Sequence, residues 1–252
     1  MSATAVPAPA FRPLVVIPVF DHEAAVGAVV DGVRAAGQEC LLVDDGSGAT
    51  CAAVLADLAR GDGVRLLRLD ANQGKGGAML AGFAEAARLG ATHVLQIDAD
   101  GQHETGDIPR FLAAARANPA AVINGAPVYD DSVPKGRLYG RYLTHVWVWI
   151  NTLSLAIRDS MCGFRVYPLA PVLELIAAEP IGRRMDFDTE IIVRLFWRGV
   201  PVRNLETAVH YPRDGVSHFH AWRDNLRISR MHARLFFGML ARLPRLLTRP
   251  RP

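Results

Sequence analysis

Asp98 and Asp100 stand one residue apart in the run Asp98-Ala99-Asp100-Gly101-Gln102-His103, directly after the branched apolar stretch from Val94 to Ile97. Carboxylates at the carboxyl end of a parallel strand face the crevice where open α/β sheets bind ligands. Two acids this close repel, and a hard cation bridged to substrate phosphates relieves the repulsion, which makes Mg2+ or Mn2+ the natural candidate. Capping of the following helix is the other use of such a pair, so the surroundings decide. Asp44-Asp45-Gly46-Ser47 closes the apolar run Leu41 to Val43 in the same way. A cap accounts for one acid, whereas four acids at two strand ends on one side of a sheet point to a shared site. Ile17-Pro18-Val19-Phe20-Asp21-His22-Glu23 ends another run, and Asn72-Gln73-Gly74-Lys75-Gly76-Gly77 follows a third. Glycines there let the backbone approach a ligand, and Lys75 offers a point charge to a phosphate. The cluster lacks the Gly-Lys-Ser/Thr of a P-loop.

Positioning these residues requires strands that alternate with helices. Apolar runs at Leu14 to Phe20, Leu41 to Val43, Val64 to Leu69, His93 to Ile97 and Ala121 to Asn124 read as strands. Between them, Glu23 to Ala36, Thr50 to Arg60, Gly76 to Leu89 and Ile108 to Ala117 carry apolar residues at three- and four-residue spacing and read as helices. Such alternation predicts βαβ units and a nucleotide-binding α/β layer on a mainly parallel sheet. Beyond residue 125 a Pro/Gly/Asp-rich loop, Ala126 to Gly136, has the length of a lid. A long helix over Leu138 to Arg158 is expected next, then a turn at Ser160 to Phe164, helices near Leu169 to Ala178 and Asp188 to Arg198, and a short strand at Val200 to Leu205. The aromatic stripe Tyr139, Tyr142, Trp147 and Trp149 is expected to be core, with a lipid chain lying against it as the alternative.

Half of the 252 residues are apolar and 21% are charged, which describes a folded chain with one domain as the fair prior. Its net charge of +3 hides an imbalance. Residues 221 to 252 hold eight arginines and one acid and carry +7, so residues 1 to 220 carry −4. The Ala- and Pro-rich start has no basic n-region followed by an apolar core, and 1–13 is expected to be a flexible leader. The most apolar stretch, Val146 to Ile157, is short of the roughly 20 residues that cross a bilayer. Three cysteines, with no Cys-x-x-Cys pair, fit a reducing cytoplasm.

The blocks Ile17-Pro18-Val19-Phe20, Val43-Asp44-Asp45-Gly46-Ser47, Asn72-Gln73-Gly74-Lys75-Gly76 and Asp98-Ala99-Asp100-Gly101-Gln102-His103 together resemble family 2 glycosyltransferases of the dolichyl-phosphate-sugar synthase branch. Asp159 to Tyr167, Phe187-Asp188-Thr189-Glu190 and Tyr211 to Phe219 are similar to that branch's later blocks, so the resemblance runs from about residue 14 to 220. It implies a GT-A fold, an α/β/α sandwich over 14–220, and inversion at the sugar. Carried over position by position, it implies that Asp45 hydrogen-bonds the donor base, with Pro18, Phe20 and Glu23 lining the nucleoside pocket. Asp98 would contact the donor's ribose or sugar region and the metal, Asp100 would ligate the metal, and Gln102 matches a metal-side position. Lys75 and Arg213 would stand at the diphosphate, where leaving-group charge develops. His218 stands where many relatives have lysine. Asp159 would act as a base for a hydroxyl acceptor, or simply cap its turn; a phosphate acceptor, largely dianionic at neutral pH, needs no base. Arg165 would position an acceptor phosphate or pair with a neighbouring acid, and Ser217 falls in the acceptor-side block.

On a helical wheel, Arg223, Arg227, Arg230 and Arg234 form one stripe and bulky apolar residues fill most of the rest, so the tail 221–252 is basic and amphipathic. It either lies on an anionic membrane or packs on the domain, and a mixture of both is expected. The resulting expectation is an inverting, metal-dependent hexosyltransferase. It would use a UDP- or GDP-sugar and a polyprenyl phosphate or other lipid acceptor, in the cytoplasm and peripheral to the inner face of the cell membrane. A nucleotidyltransferase is disfavoured because the first strand ends in Pro18-Val19-Phe20-Asp21 without a Gly-rich basic motif. Retention of all four acids disfavours a non-catalytic nucleotide-sugar sensor. Nucleic acid is not an expected partner, because bulky apolar residues flank the arginine stripe and the body is acidic.

Overall fold

Branched residues on both faces place β1 (Pro13–Val19) inside the sheet, where near-continuous apolar runs belong. The structure, a computed structural model, describes residues 10–129, 135–210 and 221–248. After β1 come α1 (Val26–Ala35), β2 (Cys40–Asp44), α2 (Ala49–Leu58), β3 (Val64–Arg68), α3 (Lys75–Arg88), β4 (His93–Gln96), α4 (Ile108–Ala117) and β5 (Val122–Tyr129). The second half holds α5 (Lys135–Thr152), β6 (Arg165–Pro168), α6 (Leu169–Ala178), α7 (Phe187–Trp197), β7 (Val202–Val209), α8 (Ala221–Ala241) and α9 (Leu243–Leu247). Seven strands form one sheet in the order β3-β2-β1-β4-β6-β5-β7. Only β6 runs antiparallel to its neighbours, β4 and β5. The mainly parallel sheet expected from the alternation is therefore present, and so is the α/β/α sandwich that the resemblance implies.

Alternate residues of each strand feed two cores. Val15, Ile17, Leu42 and Leu95 pack with α1, α2 and α4 on one face, while Val16, Val43 and Val94 pack with α3, α6 and α7 on the other. Helix α8 covers the second face: Met231, Leu235 and Met239 are buried there. Arg234 Nη2 donates to Glu190 Oε2 at 3.2 Å, and the Arg242 guanidinium lies 4.8 Å from the Trp197 ring centroid. The chain is already packed before β1, where the Phe11 ring sits 4.6 Å from His93 with the Arg116 guanidinium 4.9 Å away.

Three element ends differ by more than three residues from the expected ones, and one strand is added. β5 continues to Tyr129 because it pairs with β7 along its whole length, so Ala126 to Tyr129 is strand rather than lid. Of the rest of the expected lid, 130–134 lies outside the described residues and Lys135-Gly136 opens α5. α5 ends at Thr152 rather than Arg158, since Leu153 takes a left-handed backbone (φ 51°). β7 reaches Val209 for the reason that lengthens β5. β6 was not expected at all. Its four residues are too few for a periodicity, and they open with an arginine. The stripe on α5 also departs from expectation: Tyr142 and Trp147 are exposed rather than core.

Candidate active site

β1 pairs with β2 on one side and β4 on the other, which makes their carboxyl ends the switch point of the sheet. The loops there are tied to one another. Asp44 accepts the Ser47 N–H at 2.8 Å and Arg68 Nη1 at 2.6 Å, so it braces its own turn. Asp21, in the left-handed region, accepts the Gly48 N–H at 2.8 Å and donates its own N–H to Ser47 Oγ at 3.1 Å. Asp45 accepts the N–H groups of Gln73 (2.7 Å) and Gly74 (2.8 Å). Burial raises its pKa, and these two hydrogen bonds oppose the rise. Gly74 holds φ 88°, and a Cβ there would meet the Arg183 carbonyl oxygen at 2.6 Å. Gly77 N–H donates to that same oxygen at 2.9 Å, and Arg184 Nη1 donates to Asn72 Oδ1 at 2.9 Å. Asn72 to Gly77 is thus clamped between Asp45 and the segment before α7.

This clamp delivers Lys75, the first residue of α3, into the crevice. Its ammonium lies 2.8 Å from Asp98 Oδ1 and 2.7 Å from Asp188 Oδ2. Burial would lower the lysine pKa, but the charges of Asp188 and Asp98 outweigh it and hold Lys75 above the ordinary lysine range. Asp98 answers in the opposite sense. Burial would raise it, and Lys75 together with His103 holds it well below the usual carboxylate range. Below the clamp a buried polar chain continues: Gln96 Nε2 donates to Asp188 Oδ1 at 2.9 Å, and Tyr167 Oη donates to Gln96 Oε1 at 3.2 Å.

Asp100 is the contrasting acid. Among the described residues it forms no ion pair, and its one hydrogen bond comes from the Gln102 N–H at 3.1 Å. Burial and then the Asp98 charge push its pKa up. A partly buried acid beside a second carboxylate, without a cation of its own, suits a divalent cation with oxygen ligands. No group of three or more His, Cys, Asp or Glu side chains among the described residues is arranged to hold a metal unaided, so substrate oxygens must complete any such site. Gln102 is half-buried, and its carbonyl accepts the His210 N–H at 3.0 Å. His103 Nε2 stands 3.9 Å from Asp98 Oδ2.

The carboxylate of Asp98 leaves no room above Gly163, where a Cβ would fall inside it. Gly163→Ala is therefore expected to displace Asp98 and to cost about 1–3 kcal/mol of stability by overpacking. Chemical denaturation together with an activity assay checks both effects.

Asp159 is not placed as a base. Its Oδ2 and Oδ1 take the Arg141 Nε and Nη2 groups at 2.6 and 2.8 Å, Oδ1 also accepts the Met161 and Cys162 N–H groups at 2.8 and 2.7 Å, and His145 Nε2 lies 3.2 Å from Oδ2. Burial alone would raise its pKa, but Arg141 and His145 hold it well below the carboxylate range. The capping alternative is the one realised, and an anion so saturated with donors takes no proton. Because the folded-state pKa is depressed, its stabilisation is complete above the unfolded value of about 4 and is lost as pH falls below it. Asp159→Asn is expected to cost about 3–5 kcal/mol, as breaking a buried pair does. The wild-type kcat/KM profile between pH 5 and 9 should show no inflection from this group; one that vanishes in Asp159→Asn would restore it as a base.

Arg165 is a second correction. It is fully buried on β6, with Nε on Asn124 Oδ1 (2.8 Å) and Nη1 on Tyr167 Oη (3.0 Å) and the Asp188 carbonyl (2.9 Å), so it braces the floor and does not face an acceptor. Pro18 is buried at the end of β1, Phe20 is half-buried and Glu23 is exposed. Arg213, Ser217 and His218 lie outside the described residues. Asp188, in a block whose sequence points to no role for it, is the partner of Lys75.

The model of glycosyl transferase family 2 matches residues 14–169, more than half of the chain. The chain belongs to this family. A search of curated proteins finds no match. Among solved structures, it is similar to glucosyl-3-phosphoglycerate synthase from Mycobacterium tuberculosis in complex with phosphoglyceric acid, with a TM-score of 0.69, 14% identity, and coverage of 91% of this chain and 80% of that one. The same enzyme with Mn2+, UDP and glucosyl-3-phosphoglycerate gives 0.69, 15%, 91% and 80%. A further mycobacterial protein gives 0.65 at 16% identity, covering 92% of this chain and 74% of that one. At such identities the likeness shows the fold alone, the GT-A arrangement. Family 2 membership makes the chain a glycosyltransferase that uses a nucleotide-sugar. The dolichyl-phosphate branch within it is not among these neighbours.

Proposed function

We propose that this family 2 enzyme moves a hexose from a UDP- or GDP-sugar, with inversion, onto a polyprenyl phosphate or similar lipid-linked phosphate, in the cytoplasm at the inner face of the cell membrane. The state of Asp159 carries the acceptor reading. A hydroxyl acceptor needs a carboxylate free to take its proton, and this one is saturated, whereas a phosphomonoester arrives already ionised. Its oxygen attacks the anomeric carbon, the bond from that carbon to the nucleoside diphosphate breaks, and the diphosphate leaves with the bonding electrons. Lys75 stands where that negative charge grows. Asp98 and Asp100, with Gln102 beside them, are the residues that would hold a divalent cation, Mg2+ or Mn2+, which supplies Lewis-acid charge to the diphosphate. Asp45 and the loops after β1 and β2 hold the nucleoside side, near Pro18, Phe20 and Glu23. Arg213 and Ser217 remain proposed for the diphosphate and acceptor sides.

The phosphoglyceric acid named in the neighbouring structures favours a second reading, a small soluble phosphorylated acceptor. Incubation with labelled UDP- and GDP-sugars and either polyprenyl phosphate or 3-phosphoglycerate separates the two. Label extracted into organic solvent is expected. Label incorporated only into a water-soluble phosphorylated product would overturn the lipid acceptor and leave the glycosyltransferase assignment standing.

A further inference from the structure

Helices α5 and α8 pack side by side, and each leaves bulky apolar residues in water. Trp147 meets Phe236 at 6.3 Å and His232 at 6.0 Å between ring centroids, and Asn151 Nδ2 lies 3.4 Å from His232 Nδ1, so the helices run antiparallel. On α5, Leu143 (62% exposed), Trp147 and Ile150 follow one another at three- and four-residue spacing on the outer side. On α8, at about 100° per residue, the side chains fall into three arcs. Met231, Leu235 and Met239 point into the core. Trp222 (85% exposed), Leu226, Phe237 (68% exposed) and Leu240 form a second arc, on the α5 side of the third. That third arc holds Arg223, Arg227, Arg230 and Arg234. The one acid of α8, Asp224, is buried and paired with Arg227 at 3.0 Å, so the exposed Arg223 and Arg230 meet no acid of their own helix.

We infer that this two-helix face is a docking surface for an anionic phospholipid bilayer. Its apolar belt, from Leu143 across Trp147 to Phe237 and Leu240, enters the interface between headgroups and acyl chains, while Arg223 and Arg230 of the arc beside it meet lipid phosphates. Charge complementarity selects the occupant, because a second copy of the chain would set arginine arc against arginine arc across a two-fold interface. No helix among the described residues is long and apolar enough to cross a membrane, so the surface lies on the bilayer. α5 also carries Arg141 and His145, which hold Asp159 beside the crevice, so the docked face and the crevice share one helix. The inference extends the proposed membrane location from the tail to both helices; it rests on that reading for location only.

Co-sedimentation of the full chain with vesicles of phosphatidylcholine, with and without phosphatidylglycerol, tests it. Wild-type protein is expected to sediment with phosphatidylglycerol vesicles, to release at high salt, and to shift its tryptophan emission to the blue. Arg223→Glu with Arg230→Glu, and separately Leu143→Ser with Phe237→Ser, should each weaken partitioning at least tenfold with an unchanged circular dichroism spectrum. No sedimentation with anionic vesicles, or partitioning untouched by both variant pairs, overturns the surface. So does a wild-type dimer that ignores vesicles and becomes monomeric in Leu143→Ser with Phe237→Ser. Vesicle binding without any glycosyl transfer would instead remove the proposed reaction and leave the surface intact.

Discussion

Asp100→Asn is expected to abolish measurable glycosyl transfer without unfolding the protein. On the proposed reaction, Asp100 is the acid left for a cation once Lys75 is shared between Asp98 and Asp188. Removing its charge removes several kcal/mol of leaving-group stabilisation, a fall of about 10³-fold in kcat. Stability should move the other way. Asp100 has no ion pair among the described residues and is repelled by Asp98, so the neutral amide relieves repulsion and the thermal midpoint holds or rises. The wild-type midpoint should climb when Mn2+ and a nucleoside diphosphate are added together, as ligands that bind only the folded state require. In Asp100→Asn that climb should be absent. Thermal scans with and without both ligands, beside a nucleoside diphosphate release assay, read all of this.

The second large effect is structural and catalytic at once. Lys75→Ala leaves Asp98 and Asp188 facing one another, since each lies within 3 Å of the ammonium that is lost. Stranding mostly buried charges in this way costs about 3–5 kcal/mol. The companion variant identifies the cause. Lys75→Met combined with Asp188→Asn removes the repulsion and should recover most of the stability, with a coupling energy of roughly 1–3 kcal/mol between the sites. Activity should not return, because the positive charge facing the diphosphate is still missing. Recovery of both would mean that Lys75 matters only to the fold, and recovery of neither would mean that the clamp is not what holds Asp98.

These two residues were legible in the sequence because each follows an apolar run closely. A strand end brings Asp98 and Asp100 to the crevice whatever the rest of the chain does, and Gly74-Lys75-Gly76 opens a helix just after β3. Asp188 was not legible as the partner of Lys75. Its block is recognisable, but the ion pair joins the starts of two helices more than a hundred residues apart, and no local pattern encodes it. The base reading of Asp159 failed for the same reason, while its alternative as a cap of its turn is realised. Residue type and position left a base and a turn cap both open, and only the docking of α5, which brings Arg141 and His145 onto the carboxylate, excludes the base. Arg165, a charged residue in a block that follows a turn, suited an acceptor phosphate or a neighbouring acid. It lies on a four-residue strand wedged between β4 and β5, where Asn124 and Tyr167 enclose it. In the tail, the wheel separated the arginines from the apolar residues, yet it gave no means of dividing the apolar arc. Packing on α5 and α7 makes Met231 and Leu235 core and leaves Trp222 and Phe237 outside.

The most direct test of the central claim is the identity of the small product. Purified protein with UDP- and GDP-sugars, Mn2+ and polyprenyl phosphate is predicted to release nucleoside diphosphate in step with glycosylated acceptor, and Asp100→Asn under the same conditions is predicted to release none. Release of pyrophosphate, or no release across the donor panel while the folded protein still binds nucleotide-sugar, would contradict the assignment of Asp98, Asp100 and Lys75 to glycosyl transfer.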